Sequence, residues 1–131
     1  MKIAETLRDA GLVTHIEPYL RRRTAIPKSS FQAPGERPPV DIHRDSLEVD
    51  INEQHILPIE LTLVDDFVTK GTTLYACASK LREYFPNATI RAFAMVRTMG
   101  LVPDVQSIVD PCVGTISYNG YETNRSHSYY E

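Results

Sequence analysis

Hydrophobic positions at helical spacing open the chain and then give way to a polar segment. They are Ile3, Leu7 and Ala10, followed by Ile16, Tyr19 and Leu20, with Gly11 and Pro18 as interruptions. This spacing predicts one short helix with room for a second helical turn. Residues 24–39 are rich in proline, glycine and serine, and we interpret them as a flexible loop. Loops of this length are uncommon inside compact domains and are usually functional or disordered.

The middle of the chain changes to strand periodicity. Alternating apolar positions over residues 46–51 predict a half-exposed strand. The apolar run over residues 59–64 closes on Asp65 and Asp66, as expected of a buried parallel strand whose carboxyl end leads into a loop.

A helix and a further strand follow that loop. From Thr72 onward one helical face carries the predicted core residues Leu74, Cys77, Ala78, Leu81, Tyr84 and Phe85. The pair Pro86-Asn87 ends the helix, and residues 89–96 predict a second buried strand. Strand, helix and strand form a βαβ unit, so we predict one α/β domain over residues 1–131 with a mainly parallel sheet in three layers. Residues 113–118 predict a last strand, and residues 119–131 a polar tail that termini often leave disordered.

The loop after the first strand of this unit is where a ligand is expected. In open sheets of βαβ units, ligands bind outside the carboxyl ends of the strands. Gly71 allows a tight turn, and the helix that begins beside it presents free amides and a positive dipole end, which together favour an anion such as phosphate. Thr69, Thr72 and Thr73 add hydroxyl groups, and Lys70 adds a positive charge.

The two carboxylates need a different partner from the phosphate, which they would repel. Asp65 and Asp66 suit hydroxyl groups, or a magnesium ion held through water. A ligand with a phosphate at one end and a cis-diol in the middle is a phosphorylated ribose. The sequence therefore predicts a site for such a ligand between the carboxylates and the glycine turn.

The stretch LTLVDDFVTKGTTL, residues 61–74, resembles the phosphoribosyl diphosphate (PRPP) motif of the type I phosphoribosyltransferases. The helix LYACASKLREYFPNA and the strand TIRAFAMVRT continue the resemblance in the manner of the competence-associated branch. In that branch a loop with an arginine and an extended segment, here HRDSLEVD, precede the motif. The resemblance implies a Rossmann-like phosphoribosyltransferase fold, with Asp65 and Asp66 as the catalytic pair on the ribose hydroxyls. It also implies that Thr69, Lys70, Gly71, Thr72 and Thr73 hold the 5-phosphate.

The same resemblance supplies expectations about cofactor and activity. PRPP would bind with Mg²⁺, which the ligand and water hold near the aspartates without direct protein ligands. A nitrogen nucleophile would replace diphosphate. Basic residues around the flexible loop are candidates for a lid over the diphosphate: Arg21, Arg22, Arg23, Lys28 and Arg37.

Two departures from the family pattern leave alternatives open. Lys70 stands where the family usually has threonine or serine, and the strand and diphosphate loop that precede the first helix in relatives are missing. The chain is then either a transferase with an unknown nitrogen acceptor or a binding or sensing module without catalysis, including a truncated family member. We expect a homo-oligomer or a partner chain to cover the resulting edge. Two other interpretations are a phosphoacceptor receiver domain, for which the strand at 89–96 lacks an acceptor aspartate, and a simple capped turn.

Composition excludes several other classes. A formal net charge of −3 over 131 residues argues against direct nucleic-acid binding, which usually needs a basic face. No apolar stretch approaches the roughly 20 residues of a membrane span, and the first residues lack the apolar core of a secretion signal, so we predict a cytoplasmic protein. Cys77 and Cys112 are interpreted as packing thiols, and His15, His43, His55 and His127 as surface residues.

Overall fold

The fold is mixed α/β, with helices packed beside short sheets. A computed structural model describes residues 2–26, 38–51, 57–98 and 110–129, of which residues 127–129 are described by their backbone. The elements in chain order are α1 (Lys2–Asp9), β1 (Leu20–Arg22), α2 (Val40–Asp45), β2 (Leu47–Val49), β3 (Glu60–Val68), α3 (Thr72–Tyr84), β4 (Thr89–Arg97), β5 (Cys112–Tyr118) and β6 (Thr123–Tyr129). The described helices include none long and apolar enough to cross a bilayer.

The predicted βαβ unit is present as β3, α3 and β4. The two strands pair in parallel from Glu60↔Thr89 to Val68↔Arg97. Parallel neighbours need a crossover connection, and α3 provides it. The helix ends at Tyr84, directly before Phe85 and Pro86, as predicted. The described strands do not form the single, mainly parallel sheet that was predicted. Only β3 and β4 among them are parallel, and β1–β2 and β5–β6 are separate antiparallel pairs.

One apolar cluster joins the βαβ unit to the amino-terminal sheet. Its buried members are Tyr19, Leu81, Phe85 and Ala88, and Leu20, Val49, Ile51, Leu61, Leu63 and Ile90 pack around them. The rings of Tyr19 and Phe85 have centroids 5.2 Å apart. This cluster therefore sits at the carboxyl end of α3, away from the turn that begins this helix.

The predicted core face of α3 is correct at three positions, only half-buried at Cys77 and Ala78, and wrong at one. Leu74, Leu81 and Phe85 are buried, whereas Tyr84 is 44% exposed, so its assignment to the core was wrong. Its ring lies beside the ammonium group of Lys80. Ala76 is fully buried without having been predicted. Because α3 packs against α2 as well as against the strands, the helix buries more of its surface than a single apolar stripe.

The amino-terminal segment contains a strand where a second helical turn was predicted. Residues 20–22 form β1, which pairs antiparallel with β2 in the register Leu20↔Val49 to Arg22↔Leu47. Pro18 lacks the amide proton that a helix needs, and the extended chain after it bonds instead to β2 and its flanks. The Asp50 amide donates to the Tyr19 carbonyl at 2.8 Å, and the Arg23 amide to the Ser46 carbonyl at 2.7 Å.

The segment before β2 also differs from its prediction. HRDSLEVD was expected to be extended, but its first three residues complete α2, and the predicted strand is confirmed over Leu47–Val49. Of the flexible loop predicted at 24–39, residues 27–37 lie outside the described residues, as do Lys28 and Arg37.

The carboxyl-terminal segment is a β-hairpin. The strand predicted at 113–118 is confirmed as β5, whereas the predicted tail is wrong over Thr123–Tyr129, which form β6. The two strands pair from Cys112↔Tyr129 to Tyr118↔Thr123. The pair Asn119-Gly120 at the turn is the sequence signal that this prediction overlooked, since Asn-Gly between strands favours a tight hairpin. Gly120 has a positive φ of 91° within the four-residue connection between the two strands.

Candidate functional site

The turn between β3 and α3 has the geometry expected of an anion site. Gly71 is the N-cap of α3, with a left-handed φ of 84°, and its carbonyl accepts the Tyr75 amide at 2.9 Å as the first helical bond. The helix has no side-chain cap and no acidic residue in its first turn. The first amides of a helix have no partner within the helix, and the dipole makes this end electropositive. The turn thus presents an uncapped positive helix end.

The two aspartates lie inside β3 rather than in a loop after it. The strand continues to Val68, because pairing with β4 extends to Val68↔Arg97. The prediction that the loop begins at Asp65 was therefore wrong, and the connection to α3 is only Thr69, Lys70 and Gly71. Asp65 is half-buried and Asp66 is exposed.

The environment of Asp65 alters its acidity. Burial raises the pKa of this carboxyl group above the usual value. The Asp66 amide, which donates to Asp65 Oδ1 at 2.9 Å, opposes this shift, and the neighbouring Asp66 carboxyl group adds to it. The pair consequently includes one carboxylate that loses solvation in the fold and one that remains in water.

Asp65 faces the first half of α3. Burial raises the pKa of the Cys77 thiol to about 11; the charge of Arg22 opposes the shift, and that of Asp65 adds to it. Arg22 and Asp65 thus act on the same buried thiol from β1 and β3. A thiol with such a pKa is nearly all protonated at neutral pH, as expected of a packing cysteine.

The described arginines of the predicted lid belong to β1 and its end. Arg21 pairs with Asp50, Nη2 to Oδ2 at 3.0 Å, and Arg22 Nη1 donates to Ser46 Oγ at 2.9 Å. Ser46 Oγ in turn donates to the His43 carbonyl at 2.6 Å. Arg23 is exposed. These contacts tie Arg21 and Arg22 to β2 and α2, and a lid role for the cluster stays a prediction.

The hairpin contacts three residues at the turn between β3 and α3, and the sequence did not indicate these contacts. Lys70 Nζ lies 3.2 Å from Glu122 Oε2, and Thr72 Oγ1 lies 2.8 Å from Thr123 Oγ1. Ile116 covers Gly71 so closely that a Cβ added to the glycine would meet its Cδ1 at 2.7 Å. Thr69 and Thr73 are half-buried beside these contacts.

Two arginines absent from the predicted site join the hairpin to the carboxyl ends of the parallel strands. Arg125 Nη1 donates to the Val68 carbonyl at 3.2 Å, and its Nη2 donates to the Thr98 carbonyl. Arg97 Nη1 donates to the Asp110 carbonyl at 2.9 Å and to Cys112 Sγ at 2.8 Å. Arg125 could have been predicted at this edge only if residues 123–129 had been identified as a strand. The polar composition of this segment hides the alternation of apolar and polar residues that marks a strand.

Among the described residues, no group of three or more histidine, cysteine, aspartate or glutamate side chains is arranged to hold a metal ion. A magnesium ion held near Asp65 and Asp66 through water and ligand oxygens stays a prediction. His43 is buried, contrary to the surface prediction, and burial and the charge of Arg22 lower its pKa. His15 is exposed; His55 and the side chain of His127 lie outside the description.

No known protein family, curated protein or solved structure matches the chain. The site is therefore interpreted from its own geometry. That geometry combines an electropositive turn, two carboxylates upstream on the same strand, and a polar hairpin docked on the turn.

Proposed function

We propose that this chain binds a phosphorylated ribose, as PRPP or a nucleoside monophosphate, in the manner of a type I phosphoribosyltransferase. The turn from Thr69 to Thr73 would hold the phosphate, and Asp65 and Asp66 the ribose hydroxyls. The observation that carries the proposal is the left-handed Gly71 at the uncapped start of α3, directly after a parallel strand. A three-layer phosphoribosyltransferase-like fold and a cytoplasmic location are parts of the same proposal.

The spacing along β3 favours a sugar phosphate over phosphate alone. Thr69 follows Asp66 by three positions, which is about 10 Å at the rise of a strand. Inorganic phosphate is too small to contact both the carboxylates and the turn. A phosphorylated sugar can reach the turn and the carboxylate on its own face of β3, since successive strand side chains point to opposite faces.

The chemistry that the residues offer is binding and orientation. Lys70 is half-exposed and paired with Glu122, and it would have to turn from this partner toward a phosphate, which the flexible side chain of a lysine allows. Mg²⁺ with PRPP would supply positive charge beside the diphosphate. Asp65 and Asp66 would orient the ribose rather than transfer protons.

The alternative function, a nucleotide-binding or sensing module without turnover, is favoured by one observation. Lys70 and Thr72 already have protein partners in the hairpin. An enzyme with rapid turnover gains little from a turn that must release such partners in each cycle, whereas a sensor can use their release as its signal.

Calorimetry with ribose 5-phosphate, ribose and inorganic phosphate tests the proposal. The double variant Asp65→Asn, Asp66→Asn should lose ribose 5-phosphate affinity, because bonds to charged acceptors contribute about 1.5–3 kcal/mol each. Its phosphate affinity should not fall, since the two carboxylates repel an anion. Glu48→Gln is the control, since this exposed carboxylate lies on β2, outside the proposed site. Equal losses for both ligands would remove the ribose assignment.

A second assay separates the two functions once binding is established. Diphosphate release from PRPP, in the presence of Mg²⁺ and a panel of purine and pyrimidine bases, identifies a transferase. Binding without release for every base supports the sensing module.

A further inference from the structure

We propose that the β5–β6 hairpin is a plug for the phosphate turn, with the Glu122 carboxylate placed where a ligand phosphate would meet Lys70. The inference rests on the proposed function, because it assumes that the turn binds phosphate. It adds that the ligand and the hairpin compete for the turn.

The contacts at the turn support this competition. Glu122 brings an anion to Lys70 at 3.2 Å, and Thr123 brings a hydroxyl group to Thr72 at 2.8 Å. These are the charge and the hydrogen-bonding group that a phosphate ester would present to the same two side chains. Ile116 fills the space beside Gly71. The hairpin thus gives the side chains of the turn a charge partner and a hydrogen-bond partner from within the protein.

The hairpin turn is built to hold Glu122 in place. Asn119 Oδ1 accepts the amides of Tyr121 and Glu122 at 2.9 and 2.8 Å, and the Asn119 amide donates to the Glu122 carbonyl at 3.2 Å. An asparagine side chain that bonds to the following backbone fixes such a turn. The glutamate is therefore presented by an ordered turn at the start of β6.

The ion pair that would break is weak, and the base of the hairpin is held separately. The Lys70–Glu122 pair is about half exposed at both side chains, and exposed ion pairs stabilise proteins little. Arg97 contacts Cys112 at the open end of the hairpin, and Arg125 bonds two strand carbonyls. Release of the turn end can therefore leave the rest of the hairpin attached.

Ligand affinity should accordingly depend on the fraction of molecules in which the turn end is released. One exposed ion pair and one hydroxyl bond together correspond to an effect of about tenfold. Calorimetry with ribose 5-phosphate should show about tenfold tighter binding to the double variant Glu122→Gln, Thr123→Val than to the unmodified chain.

Glu60→Gln is the matched control, because Glu60 forms an equally exposed pair with Arg91, 3.1 Å apart, at the opposite end of β3. It should bind like the unmodified chain. Glu122→Gln alone changes an exposed side chain and keeps the test valid if Thr123→Val, at a buried position, disturbs folding.

Hydrogen exchange separates failure of the plug from failure of the site. Ribose 5-phosphate should slow exchange at the Thr72 and Thr73 amides and accelerate it at the amides of Glu122 and Thr123. Equal affinity in all variants, or slower exchange in both regions, overturns the plug and leaves the phosphate site standing. No binding to any variant, although Glu122→Gln accelerates hairpin exchange, overturns the proposed function and with it the competition.

Discussion

The βαβ unit and the carboxyl-terminal hairpin are held by different forces. The unit buries apolar side chains of α3 against both strands and the Tyr19 cluster. The hairpin pairs only with itself among the described strands, and among its described side chains Thr123 alone is buried. It meets the unit through the polar side chains of Glu122, Thr123 and Arg125. Two apolar contacts add to these, since Ile116 lies over Gly71 and the ring centroid of Tyr118 is 5.5 Å from that of Tyr75.

This difference indicates which part of the molecule can move at the site. Burial of apolar area is roughly additive and is lost only when the core opens. Polar contacts at the surface exchange with water at a small net cost, so they can be replaced by a ligand. The fixed unit therefore shapes the turn between β3 and α3, and the hairpin is the part that can leave it.

The largest expected effect comes from opening the core. Leu81 is 3% exposed in the Tyr19 cluster, so Leu81→Ala should lower the free energy of unfolding by about 2–5 kcal/mol. Urea unfolding followed by circular dichroism measures the loss. Leu57→Ala, at a position 70% exposed, should change it by roughly 0.5 kcal/mol or less. Equal losses would mean that the apolar cluster does not hold the unit.

A smaller and more local effect is expected at the hairpin. Arg125→Met keeps the aliphatic length of the side chain but removes its bonds to the Val68 and Thr98 carbonyls. Bonds from charged donors contribute about 1.5–3 kcal/mol, so exchange of the hairpin amides should accelerate while α3 stays protected. Hydrogen exchange resolved by segment measures this.

Arg91→Met is the control for the Arg125 experiment, because Arg91 forms an exposed pair with Glu60 at the other end of the sheet. Loss of α3 protection together with the hairpin would contradict the comparison, since it would make the two regions one cooperative unit.

The sequence allowed the βαβ unit to be predicted because its information is local. Apolar periodicity marks β3, α3 and β4, and Pro86 marks where the helix ends. The short strand β1 could not be found this way, since its three residues owe their conformation to a partner more than 20 residues later. The burial of Tyr84 was mispredicted for a related reason. Apolar periodicity identifies the buried face of a helix, but it does not show which residues at the border of that face remain exposed.

The candidate site was predictable in its turn and not in its surroundings. Glycine among threonines after an apolar strand predicted a tight turn and the start of α3, and the structure shows Gly71 as the left-handed N-cap. The extension of β3 through Asp65 and Asp66 depends on pairing with β4, which no local pattern encodes. Contacts between Lys70 and Glu122, which are 52 residues apart, depend on where the whole hairpin docks.

The smallest expected effect concerns what the site contributes to stability. The pKa of Asp65 is raised in the folded chain, chiefly by burial, so the folded state binds a proton more readily than the unfolded state. Stability from this group is present below the ordinary carboxyl pKa and is lost as pH rises through the raised value. At pH 7 the ionised Asp65 therefore destabilises the fold, and Asp65→Asn should be more stable than the unmodified chain.

This gain should shrink as pH falls toward the unperturbed aspartate pKa of about 3.9, where the unmodified carboxyl group becomes protonated in both states. Urea unfolding at several pH values between 3 and 7 follows the difference. Asp9→Asn, an exposed site on α1, corrects for the change in net charge. A difference independent of pH would show that the carboxylate is not penalised by burial. A variant less stable at pH 7 would show that β3 needs the charge, and the pair would then serve the fold rather than a ligand.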